Sequence, residues 1–161
     1  MSASDLVRTG LLLVALCLPA GTTEAAASPL TIMAGSWSGG GVVNTSDGGQ
    51  QQLRCRASYD VTRTGDELRL HLRCASDSYN FDLTSEVQYR RGEISGSWTE
   101  ASRNASGTLE GRAAGDRVVA SARGQNFSAD LSLTTRGRRQ RVTIRPQGTF
   151  VTSVSLTLER R

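Results

Sequence analysis

Residues 53–74 read Leu-Arg-Cys-Arg-Ala-Ser-Tyr-Asp-Val-Thr-Arg-Thr-Gly-Asp-Glu-Leu-Arg-Leu-His-Leu-Arg-Cys. Leu53, Cys55, Ala57, Tyr59 and Val61 alternate with Arg54, Arg56, Ser58 and Asp60. After a turn at Thr64-Gly65-Asp66, Leu68, Leu70, Leu72 and Cys74 alternate with Glu67, Arg69, His71 and Arg73. Successive side chains leave a pleated backbone on opposite faces, so a period of two marks a half-buried strand. Two such runs around a glycine turn predict an antiparallel hairpin. Folded about Thr64-Gly65, it sets Val61 opposite Leu68, Tyr59 opposite Leu70 and Ala57 opposite Leu72. The same register sets Cys55 opposite Cys74. Directly opposed Cβ atoms lie about 4.5–5.5 Å apart, close to what a disulfide accepts. A Cys55–Cys74 disulfide follows, and closing that loop contributes about 3 kcal/mol in the chain-entropy model. Two free buried thiols are the other reading.

The alternation continues downstream. Tyr79, Phe81, Leu83, Val87 and Tyr89 share a face, Arg91-Gly92 turns the chain, and Ile94, Gly96 and Trp98 return on that face. Gly107, Leu109 and Gly111 follow, then a turn at Ala114-Gly115-Asp116, then Val118, Ala120 and Ala122. Phe127, Ala129, Leu131 and Leu133 precede a turn at Gly137. Val142 and Ile144 return, and Val154, Leu156 and Leu158 close the pattern. No stretch after residue 30 keeps a 3.6-residue apolar period. The expected fold is all-β: a single antiparallel up-and-down β-barrel of 8–10 strands, because sequential hairpins with short turns favour a meander. Small inward residues mixed with large aromatics suit the taper of such a barrel.

The first 27 residues have a different character. Residues 10–20 form an apolar run preceded by Arg8 and followed by Ala25-Ala26-Ala27, the layout of a secretory signal peptide. The run is shorter than the roughly 20 residues a membrane-spanning helix needs. Cys17 follows the bulky Leu16, unlike a lipoprotein cleavage site, and is expected to leave with the signal. The expected organisation is therefore a signal peptide over 1–27 and a barrel domain over 28–161. Cys55 and Cys74 then remain as an even pair, as suits a periplasmic or secreted protein.

Gly35-Ser36-Trp37, at the start of the first strand, resembles the Gly-x-Trp signature of the calycin group of avidins and lipocalins. The resemblance implies a small ligand-binding barrel whose tryptophan closes one end beneath an arginine from the last strand. Arg160 or Arg161 is placed to be that arginine. No Thr-Asp-Tyr motif follows, and Ser38-Gly39-Gly40-Gly41 does not match the biotin-contacting segment of avidins. Biotin is therefore not implied.

Within such a barrel, Trp37, Tyr59, Trp98 and Phe127 are the candidate ligand-binding residues, as an aromatic lining for a small apolar or amphipathic molecule. Ordinary core packing is their other reading. Arg136, Arg138, Arg139 and Arg141 cluster around Gly137 and are the candidate anion- or partner-binding residues, able to engage phosphate or carboxylate. A solvated hairpin tip is the alternative there. Arg54, Arg56, Arg69 and Arg73 form a second basic surface. The chain has 19 basic residues, all arginine, against 15 acidic ones. Nucleic acid is not expected as a partner, because export and the lack of interleaved aromatics argue against it. The all-arginine usage suggests a bacterial envelope protein from a high-GC genome.

One histidine, His71, cannot build a multi-histidine metal site, and no metal or cofactor is expected. No Gly-x-Ser-x-Gly elbow occurs, no carboxylate is placed by sequence beside His71, and Asp82, Glu86, Glu100 and Glu110 are assigned to the solvent face. The expected function is non-enzymatic binding of a small apolar ligand or envelope component, without stable membrane insertion. The alternative is a protein-interaction module of the envelope, a hydrolase inhibitor or structural factor, working through its arginine-rich surface. The oligomeric state is not legible.

Overall fold

The computed structural model describes residues 27–161. The expected signal peptide, with Cys17, lies outside the described residues except for Ala27. Ten strands follow in chain order: β1 Gly35–Thr45, β2 Gln50–Val61, β3 Glu67–Ala75, β4 Asn80–Arg90 and β5 Glu93–Glu100, then β6 Ala105–Ala114, β7 Arg117–Gly124, β8 Phe127–Arg136, β9 Arg139–Gln147 and β10 Val151–Arg160. Each pairs antiparallel with its sequence neighbour, and β10 returns to pair with β1. The barrel is closed and has no free sheet edge, which removes a template for aggregation. Among the described residues, no helix is long and apolar enough to cross a membrane.

The β2–β3 hairpin has the register the alternation dictates: Val61↔Leu68, Tyr59↔Leu70, Ala57↔Leu72 and Cys55↔Cys74. The two cysteines are joined by a disulfide. Further round the barrel, Leu131 pairs with Ala120, Val142 with Leu133 and Leu156 with Val142, so the inward rows continue from strand to strand.

Several inward glycines sit where a side chain has no room. A Cβ on Gly41 would lie 1.9 Å from the Ser155 carbonyl oxygen, and one on Gly107 would lie 1.8 Å from that of Arg123. These positions let adjacent strands bend toward each other, as a small barrel requires.

One end is plugged by the segment before β1. A short 3-10 turn at Thr31–Met33 lays Leu30 and Met33 into the end of the barrel, both buried. Ser28 fastens this segment by donating from Oγ to the Gly65 carbonyl, 2.8 Å. Around the same end, successive turns are stitched to the strand after next: Tyr89 N–H donates to Asp66, Ala113 to Gly92, Thr135 to Asp116 and Arg160 to Arg138.

Candidate functional site

Trp37 lies beneath the plug at 1% exposure, its indole N–H donating to the Met33 carbonyl, 2.8 Å. The Arg160 guanidinium stacks over that indole, 4.5 Å from the ring centroid, and donates to the carbonyls of Ala34 and Ile32. Of the two arginines named from sequence, Arg160 makes the stack; Arg161 instead turns its Nε to Ser38 Oγ, 2.8 Å. Tyr59 is buried near the same end. Its hydroxyl donates to Gln140 Oε1, 2.7 Å, and Gln140 donates on to Thr135 Oγ1, 3.1 Å. Burial pushes the Tyr59 hydroxyl well above its ordinary pKa, so it stays protonated.

Trp98 and Phe127 meet elsewhere, edge to face with ring centroids 5.6 Å apart. Trp98 donates to the Thr108 carbonyl, 3.1 Å. Gly124 makes room for it, since a Cβ there would lie 2.9 Å from the indole. The four aromatic candidates thus divide into two groups: Trp37 and Tyr59 toward the plug, and Trp98 with Phe127 toward the opposite end, where Phe127 opens β8.

Inward side chains differ in burial. Leu53, Ala57, Leu68 and Leu72 on β2 and β3 are buried, as are Val142 on β9 and Leu156 on β10, whereas Leu70 on β3 is half-buried. Leu109, Leu131, Leu133, Ile144 and Val154 also belong to the inward alternation, yet they are only half-buried. Inward aliphatic side chains that keep accessible surface are not covered by close packing on every side.

The arginines around Gly137 are largely engaged within the molecule. Arg136 pairs with Asp116, Arg139 pairs with Glu159 at 2.8 Å, and Arg138 donates to the Arg160 carbonyl. The Arg136 hydrogen bond also holds the Asp116 carboxyl below its usual range. Arg141 has no carboxylate partner among the described residues.

Two connected troughs, of about 570 and 340 Å³, open on the outside of the sheet formed by β1 to β4. Arg56, Arg73 and Arg161 border both. Arg56 faces Arg73 directly across the β2–β3 ladder. Arg73 Nε donates to Asp82, 3.0 Å, and Asp82 also contacts His71 Nε2 at 2.8 Å. Those two partners hold the Asp82 carboxyl below its ordinary range, with the His71 hydrogen bond the larger effect. His71 therefore does have an orienting carboxylate. Sequence reasoning missed it because the pair lies diagonally across the β3–β4 register, where Asp82 opposes Arg73 and His71 opposes Thr84.

Glu100 is a second correction. It is buried, not solvent-facing: Trp98 is two residues away on the same strand, so both point inward. The Glu100 carboxylate accepts from the backbone N–H groups of Asp82 and Ser102, from Ser102 Oγ and from Arg103. Burial pushes its pKa up, but these donors together outweigh it and hold the carboxyl below its usual range. Arg103, stacked 4.4 Å over Tyr79, fixes the 3-10 turn at Ala101–Arg103 beside it.

A closed ten-strand meander whose end is plugged beneath a tryptophan–arginine stack is the architecture of the calycin-like barrels. No family model matches the chain, and no curated protein matches it. Among solved structures it is similar to an S-type phycobiliprotein lyase from Guillardia theta, with a TM-score of 0.59 at 12% identity over 82% of this chain and 89% of that one. It is also similar to the Rv2717c protein of M. tuberculosis, with a TM-score of 0.62 at 15% identity over 83% and 94%. At these identities the likeness establishes the fold. It also corrects the expectation of a non-enzymatic protein: a barrel of this architecture belongs to a protein described as a lyase. The missing nucleophile elbow therefore does not exclude catalysis from such a fold.

Proposed function

We propose that the protein is exported and binds a small apolar or amphipathic molecule inside its barrel. The observation that carries this reading is the set of half-buried inward aliphatic side chains Leu109, Leu131, Leu133, Ile144 and Val154, spread over β6, β8, β9 and β10. Trp98 and Phe127 would form the aromatic part of the ligand's surroundings, and Trp37 and Tyr59 the floor. Entry would be at the end away from the plug, where Phe150 stands on the β9–β10 turn at 62% exposure. Export, with a signal peptide over 1–27, is supported by the disulfide, which persists in oxidising compartments.

Titration with an uncharged apolar fluorophore such as N-phenylnaphthylamine tests the reading. Saturable binding that Leu131→Arg abolishes in a folded protein is the expected result. An absence of binding, together with no small molecule retained by protein taken from its native cells in native mass spectrometry, would overturn it.

A further inference from the structure

The outer troughs are separate from the barrel interior and pose a different question. Their walls are strongly basic: Arg54 and Arg56 project from β2, Arg73 from β3, and Arg161 lies beside β1. Among the described residues, Asp82 is the one acidic residue that borders them. Arg54 and Arg56 pair with no carboxylate among the described residues. Arg56 also stands directly opposite Arg73, an arrangement that costs stability unless an anion lies between the two charges. Elsewhere the barrel's outer cross-strand pairs include arginine with acid, as at Arg69↔Glu86 and Arg139↔Glu159. Arg136 and Arg139 also stand opposite each other, but each has a carboxylate of its own; Arg56 has none among the described residues, and it borders a concavity.

We propose that this trough binds a tetrahedral oxyanion, either phosphate or the phosphate group of a small polar molecule, held by Arg54, Arg56 and Arg73. Guanidinium forks donate in pairs to phosphate oxygens, and Arg54, Arg56 and the cross-strand Arg73 project as near neighbours from one face of the sheet into the same trough. Arg73 is already oriented through its Nε by Asp82, which leaves its terminal nitrogens to donate. A single carboxylate would leave this charge undercompensated, whereas a phosphate dianion suits it better. Polar neighbours such as Ser38, Asn80 and Ser102 suit the rest of a hydrophilic ligand. The volume of about 570 Å³ is that of a small-molecule site. Nucleic acid fits poorly. Phe81, the aromatic residue bordering the larger trough, belongs to the inward face of β4 and offers no stacking platform.

Isothermal titration in phosphate-free buffer, with inorganic phosphate, glucose phosphate and phosphatidic-acid vesicles as separate probes, tests the proposal. Saturable binding is expected, about tenfold weaker in Arg56→Gln and in Arg54→Gln and unchanged in Arg123→Gln, an exposed arginine on β7. Binding to soluble phosphates assigns the oxyanion to a free ligand. Binding confined to vesicles, and lost in Arg56→Gln, assigns it to a lipid headgroup. No binding of any probe overturns the proposal. So does an equal loss in Arg56→Gln and Arg123→Gln, which would indicate diffuse charge attraction. Arg56→Thr provides a check independent of affinity: removing the like-charge contact should raise the melting temperature of the free protein while binding is lost. A melting temperature that falls, in a variant that still binds, would count against the site.

Discussion

The guanidinium of Arg160 lies 4.5 Å above the indole of Trp37 and donates to the carbonyls of Ala34 and Ile32. One side chain at the end of the last strand thereby clamps the plug and the start of the first strand together. Arg160→Ala should cost about 2 kcal/mol through the lost stack and charge-assisted hydrogen bonds. Arg160→Lys should recover part of that, since an ammonium can stack but cannot fork to two carbonyls. Trp37→Ala should cost about 3–5 kcal/mol. Urea unfolding monitored by circular dichroism would measure all three, and equal stability in Arg160→Ala and the parent would refute the clamp.

The disulfide joins two strands that the sheet already pairs. Replacing both Cys55 and Cys74 by alanine should therefore leave the barrel fold intact but lower its stability by about 3 kcal/mol. Thermal melts with and without reductant give the same comparison without mutation. A parent protein whose melting point ignores reductant would show that the bond does not stabilise the fold.

At Gly41 any side chain meets the backbone of β10. Gly41→Ala should cost about 1–3 kcal/mol, because the Ser155 carbonyl cannot rotate away as a flexible side chain would. Ser38→Ala, three residues earlier on the outer face, should be close to neutral. Proteolysis in mild denaturant would rank the two variants.

Glu100 predicts a dependence on acid. Its folded pKa lies below the unfolded one, so its contribution is complete above the ordinary glutamate range and is lost as pH falls through the depressed folded value. Glu100→Gln should cost about 1–3 kcal/mol at neutral pH and reduce the loss of stability between neutral and acid conditions. Parallel acid dependences in the variant and the parent would place the acid sensitivity elsewhere.

The strand framework was legible because burial on one face imposes a period of two, which Leu53–Val61 and Leu68–Cys74 display on either side of their turn. The count of ten was less so: Ser85 occupies an inward position with a polar side chain, and it is tolerated because its hydroxyl donates to the Ser97 carbonyl. The inward side of Glu100 was missed because charge was weighed above alternation, although Trp98 already determined its face. The plug was invisible, since Leu30 and Met33 precede the first strand and belong to no repeat. For the same reason, the sequence grouped the arginines by nearness to Gly137. Folding pairs Arg136 and Arg139 with distant acids and gathers Arg54 and Arg56 from β2, Arg73 from β3 and Arg161 from just beyond β10.

The seam between β1 and β10 gives the chain an order of events. Nine of the ten strand pairings join neighbours in sequence and can form as hairpins while the polypeptide is still emerging. The tenth pairs Trp37 with Arg160 and must wait for nearly the full length. Until then β1 and the most recently formed strand present open edges to any other extended segment nearby. A product truncated within β10 would keep those edges permanently, so shortened chains should assemble into oligomers or aggregates rather than persist as weakened monomers.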